Sequence, residues 1–147
     1  MSLSLDSTSD VQKLRLELRL KQLERVESCQ NNFLPFVNSM WPQFIAGRHH
    51  HLIAEKLEEI ANGTLKRLII NMPPRHTKSE FASFLFPAWM IGRNPAMKII
   101  QATHTTELAV NFGRKVKNLL EQDDYQEIFD NTILSADSKA SGRWDTK

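Results

Sequence analysis

Arg75, His76, Thr77, Lys78 and Ser79 carry side chains suited to holding phosphate, within the stretch Asn71-Met72-Pro73-Pro74-Arg75-His76-Thr77-Lys78-Ser79-Glu80. Lys followed by Ser at the start of a helix is the pair that a phosphate-binding loop uses. The ammonium reaches the β- and γ-phosphates, the hydroxyl ligates Mg²⁺, and the backbone N–H groups cradle the anion. The spacing departs from G-x-x-x-x-G-K-[ST], because the two glycine positions hold Met72 and Thr77. Lys-Ser alone is a common dipeptide, so an ordinary surface loop is the alternative. The flanks favour the phosphate reading. Leu68-Ile69-Ile70 suggests one buried strand, Pro73-Pro74 ends it, and an apolar helical pattern opens at Phe81. The prolines fix φ near −65°, which defines where the Arg75 side chain begins, and a guanidinium forks onto phosphate oxygens. The competing role for Arg75 is a surface pair with Glu80.

Other reactive residues form weaker patterns. His49-His50-His51 invites a metal site, but consecutive helical residues point about 100° apart and do not converge on one ion. Cys29 is the sole cysteine, which excludes an internal disulfide and a cysteine-based zinc site and suits a reducing compartment. An ATPase also needs an acid at a strand end to hold Mg²⁺. Neither Glu127-Ile128-Phe129-Asp130 nor Ile133-Leu134-Ser135-Ala136-Asp137 has the required apolar run, and Asp123-Asp124 reads as a helix start.

The elements that would position the loop follow from periodicity. Met1 to Asp10 is Ser/Asp-rich and reads as a disordered tail, with Ser9 and Gln12 as a capping box. A leucine-rich helical arm then runs to about Gln30: Leu14, Leu16, Leu18 and Leu20 alternate as in a strand, but the residue types are strong helix formers. A short helix over 32–40 opens at Asn32 and closes at Trp41-Pro42. Ile53, Leu57, Ile60 and Ala61 mark one helical face, stopped by Asn62-Gly63. Phe81, Leu85, Ala88 and Trp89 form a further stripe, which Pro87 should kink or end near Phe86. Residues 97–103 read as a second strand after an Asn94-Pro95 turn. A helix from Thr105 carries Leu108, Phe112, Val116 and Leu119, and Thr132–Leu134 is a possible third strand. The β-α-β-α order predicts an α/β fold, a parallel sheet with right-handed crossovers and the loop at its carboxyl edge.

The 147 residues fit one domain; 41% apolar and 24% charged residues are ordinary for a soluble protein, and a net charge of +2 neither requires nor excludes DNA. No apolar run approaches the roughly 18–20 residues of a membrane span, and the polar start is not a signal peptide. A cytosolic protein is expected.

The segment 71–80 resembles the Walker A loop of the large terminase subunit of tailed bacteriophages, which often carries Pro-Pro-Arg-His-x-Lys-Ser. The likeness runs from about Phe33 to Lys147 and includes Trp89-Met90-Ile91-Gly92-Arg93-Asn94-Pro95 and Ser141-Gly142-Arg143-Trp144-Asp145-Thr146. The resemblance implies a RecA/ASCE-like P-loop ATPase domain over 32–147, preceded by a tail and arm over 1–31. It implies phosphate binding by Pro74, Arg75, His76, Thr77, Lys78 and Ser79, Mg²⁺ on Ser79, catalytic roles for Arg75 and Lys78, and adenine contacts from Gln43, Arg48 and His49. The cofactors would be ATP and Mg²⁺. The partners would be double-stranded DNA, a ring of copies on a portal protein and the small terminase subunit, in the host cytoplasm. In that family the Walker B acids and the nuclease domain lie downstream, so the chain is expected to be the N-terminal part of a longer or split protein. Competing readings are a helicase, a small-molecule kinase, or a non-enzymatic module acting through its N-terminal helix.

Overall fold

The computed structural model describes residues 6–135 and 144–146. Three helices open the chain: α1 Asp6–Asn31, α2 Phe33–Met40 and α3 Arg48–Ala61. α1 starts upstream of the expected Ser9 cap, and residues 6–10 are helical where a disordered tail was expected. Residues 1–5 of that tail lie outside the described residues. Asn32 occupies the N-cap position of α2 without capping it: its side-chain amide donates to Ser28 O at 3.2 Å. The Phe33 N–H instead donates to Glu58 Oε1 of α3 at 2.7 Å, so a neighbouring helix satisfies the helix end. α3 stops where the sequence indicates, with Gly63 in the left-handed region at φ 78°.

Residues 78 and 79 are helical, Glu80–Leu85 is a π-helical segment, and α4 is Phe86–Arg93. Pro87 has no N–H for the carbonyl of Ser83, four residues back. The expected break at Phe86 is a π-to-α junction, in which the Phe86 N–H donates to Phe81 O. The freed Ser83 carbonyl accepts the Gln101 side-chain amide at 3.1 Å. α5, Thr106–Leu120, is capped by the Thr105 hydroxyl, which accepts from the Leu108 N–H, and α6 is the turn Asp123–Gln126.

The helices enclose an aromatic core. Phe33 meets Phe81 and Phe86 edge to face with centroids 5.6 Å apart, and Phe36 meets Tyr125 edge to face at 6.1 Å. The polar atoms of two of these buried rings are satisfied: Trp89 Nε1–H donates to Cys29 O and the Tyr125 hydroxyl to Ala88 O, each at 2.8 Å. At Gly92 a Cβ would lie 2.4 Å from the Phe129 ring, so only glycine permits this approach of α4 to the turn after α6.

The parallel sheet and the P-loop NTPase fold predicted from the sequence are not what the chain adopts. Among the described residues there is no strand, only an isolated antiparallel bridge between Leu134 and Thr146. Residues 65–71 and 97–103 carry neither helix nor ladder, and the possible third strand reduces to that bridge. The reason lies in how little three apolar residues specify: a strand needs neighbours for its N–H and C=O groups, and a short apolar run does not itself define a ladder. Leu68 packs on the core while Ile69 is 86% and Ile100 95% exposed. The 97–103 segment is fastened by the Gln101 side chain.

Candidate functional site

The loop after residue 71 lines a cavity of about 570 Å³ formed by residues 72–80, within the size range of small-molecule sites. Two of its residues occupy the left-handed backbone region without being glycine: Arg75 at φ 64° and Thr77 at φ 59°. For a β-branched residue this conformation is a true outlier, costing roughly 1–2 kcal/mol, and it persists only where surrounding contacts impose it. Thr77 stands at the second glycine position of the phosphate-loop pattern, so its backbone adopts there what glycine would supply.

Two histidines impose the shape. His76 Nδ1 donates to Pro74 O at 2.9 Å, bracketing Arg75. The Thr77 hydroxyl donates to His76 O and lies 2.7 Å from His50 Nε2 on α3. Since Thr77 Oγ1 spends its proton on the carbonyl, it accepts from His50 Nε2–H. The other ring nitrogen, Nδ1, accepts the Gly47 N–H at 2.9 Å. That last bond is half of a capping box, with His50 at the third helical position. Both ring nitrogens are committed, and the arrangement requires a neutral imidazole. Burial pushes the His50 pKa below its ordinary value, and the nearby His49, His51 and His76 push it in the same direction. The ring is buried against Phe44 and Phe81, with centroids 4.7 and 5.1 Å away.

The loop carries two basic side chains, Arg75 and Lys78, and one acid, Glu80. Glu80, the proposed surface partner of Arg75, pairs instead with Lys115 at 2.9 Å. Neither Arg75 nor Lys78 makes an ion pair among the described residues. Pro74, Arg75, His76 and Ser79 are exposed, and Thr77 and Lys78 are half-buried. The Phe81 N–H donates to Thr77 O, which ties the loop to the first helical turn.

The structure thus brings Pro74, Arg75, His76, Thr77, Lys78 and Ser79 onto one cavity. Of the suggested adenine contacts, His49 lies beside the loop, its ring 6.2 Å from that of His76. Gln43 and Arg48 are exposed and do not line the cavity. Asp137 and Ser141-Gly142-Arg143 lie outside the described residues. His50 is the residue that reading by motif missed. Its signal was its position three residues after Gly47, where a side chain can accept from the N-cap N–H. Among the described residues no three His, Cys, Asp or Glu side chains are grouped to hold a metal ion. No protein-family model, curated protein or solved structure matches the chain.

Proposed function

We propose that residues 72–79 bind the phosphates of ATP with Mg²⁺, and that the chain is the nucleotide-binding part of a DNA-packaging motor of the large-terminase kind. The observation that supports this reading is a cavity-lining loop with glycine-like backbone at non-glycine positions and two basic side chains without an acidic partner among the described residues. In this reading Lys78 and Arg75 neutralise the β- and γ-phosphates and Ser79 ligates Mg²⁺. ATP turnover, endonuclease activity, double-stranded DNA, a ring on a portal and a small subunit belong to the assembled motor and rest on the resemblance of residues 71–80, 89–95 and 141–146.

Among the described residues Glu80 is the one carboxylate on the cavity, and Lys115 engages it. The chain alone is therefore expected to bind nucleotide and to hydrolyse it hardly at all. Thermal unfolding with Mg-ATP tests the site. ATP should raise the midpoint of the wild type, and Lys78→Ala should weaken binding about 10- to 150-fold, the equivalent of one charge-assisted contact of roughly 1.5–3 kcal/mol. Ser79→Ala should reduce only the Mg²⁺-dependent part. Equal shifts for wild type and Lys78→Ala would remove the phosphate assignment and leave the module that acts through α1.

A further inference from the structure

The N-terminal two thirds of α1 carry exposed leucines: Leu14, Leu16, Leu18, Leu20 and Leu23 are 56–69% exposed. At about 100° per residue they form two stripes on nearly opposite faces, Val11-Leu14-Leu18 and Leu16-Leu20-Leu23. The first shares its side of the helix with Cys29, which is buried against the body of the protein. The second points away from the body and is open to a neighbour.

We propose that two copies of this chain pair through parallel, in-register α1 helices along Leu16, Leu20 and Leu23. The spacings of four and three residues are the d-a-d of a heptad seam. The a positions on either side, Lys13 and Glu27, would face their own copies in a parallel pair, which confines the seam to residues 16–23. Within it the e and g side chains favour the parallel direction. Glu17 and Glu24 occupy the e positions, and Gln12 and Arg19 the g positions. In a parallel pair each g residue meets the e residue five places on in the partner. Arg19 then faces Glu24 and Gln12 faces Glu17, twice each by symmetry. An antiparallel pair sets e against e, glutamate against glutamate, and places Arg19 among g residues with no acid. None of Glu17, Arg19 and Glu24 is engaged elsewhere in an ion pair among the described residues. The helix itself is already held at its C-terminal end, where Arg25 pairs with Glu127 and Gln30 donates to Ile128 O. Pairing therefore needs to order side chains rather than form a helix. Copies of this chain are the occupant that the charge pattern fits.

Sedimentation of the whole chain over a range of concentrations tests the proposal. The mass should approach twice the 17.0 kDa of one chain, and Leu16→Glu with Leu20→Glu should return it to one, with unchanged helical circular dichroism. Arg19→Glu should weaken the dimer at least tenfold, and adding Glu24→Arg should restore it. Leu20→Cys should oxidise to a disulfide-linked dimer, because identical residues meet across a parallel seam. A monomeric wild type at every concentration would overturn the proposal. So would a dimer that survives Leu16→Glu with Leu20→Glu, or one broken instead by Leu14→Glu with Leu18→Glu.

Discussion

Thr77 concentrates the chemistry of the loop in one hydroxyl. With φ at 59° its backbone is strained, and the bonds to His50 and His76 hold it there. Thr77→Val keeps the shape, loses both bonds and leaves the buried His50 Nε2–H without a partner, which costs about 1–3 kcal/mol. Thr77→Gly loses the same bonds but recovers roughly 1–2 kcal/mol of backbone strain. Denaturant unfolding should rank the wild type first, Thr77→Gly close behind and Thr77→Val last; a valine variant as stable as the glycine variant would show that the strain is not there. His50 adds a pH dependence. Its folded pKa is lowered, so the folded state prefers the neutral ring. The stabilisation is complete above the ordinary value of about 6.5 and is lost as pH falls through the lowered folded value. Stability should decline on acidification below about pH 6.5, and His50→Gln, which cannot titrate, should flatten that decline in a pH series of thermal midpoints. Lys78 and Ser79 were legible in the sequence as a dipeptide at a helix start. The His50 bond was not, because a side-chain contact across 27 residues leaves no local pattern.

At the scale of elements, the junction at Pro87 is a small exchange of partners. Proline withholds a donor from Ser83, and Gln101 supplies one from a segment that has no secondary structure of its own. Gln101→Ala should cost about 1 kcal/mol, and less in a Pro87→Ala background, where the backbone can again donate to Ser83. A double-mutant cycle measures the difference, and strict additivity would separate the two features. α3 and α5 were readable because each has a stripe at the right period and a definable end, Gly63 for α3 and Thr105 for α5, whereas α1 was read from its helix-forming residue types. The strands were misread because Leu68-Ile69-Ile70 and residues 97–103 show only short apolar runs. What covers such a run, a neighbouring strand or a helix surface, is decided by tertiary partners that a local window does not contain.

Across the whole molecule, much of the core was visible in advance as the stripe Phe81, Leu85, Ala88 and Trp89 and the face Val116 and Leu119, all buried. The architecture that assembles those faces was not, since amphipathic helices pack as well on one another as on a sheet. The join between the two ends of the described chain has a consequence for how the protein folds in time. Gln30 reaches Ile128 across 98 residues, with the Gln30 amide 2.6 Å from the carbonyl, and Arg25 meets Glu127 beside it. Most other packing is between helices near one another in sequence, which form early and quickly. Closing so long a loop loses entropy before any contact rewards it, so this clasp is expected to shut after the rate-limiting barrier. Gln30→Ala should then leave the refolding rate unchanged and speed unfolding about fivefold, the equivalent of about 1 kcal/mol placed wholly on the unfolding limb. Stopped-flow chevrons would read this directly, and a slowed refolding limb would move the clasp into the nucleus. The consequence is a protein whose lifetime in the folded state is set at a latch, while its speed of assembly is set by the helices the latch encloses.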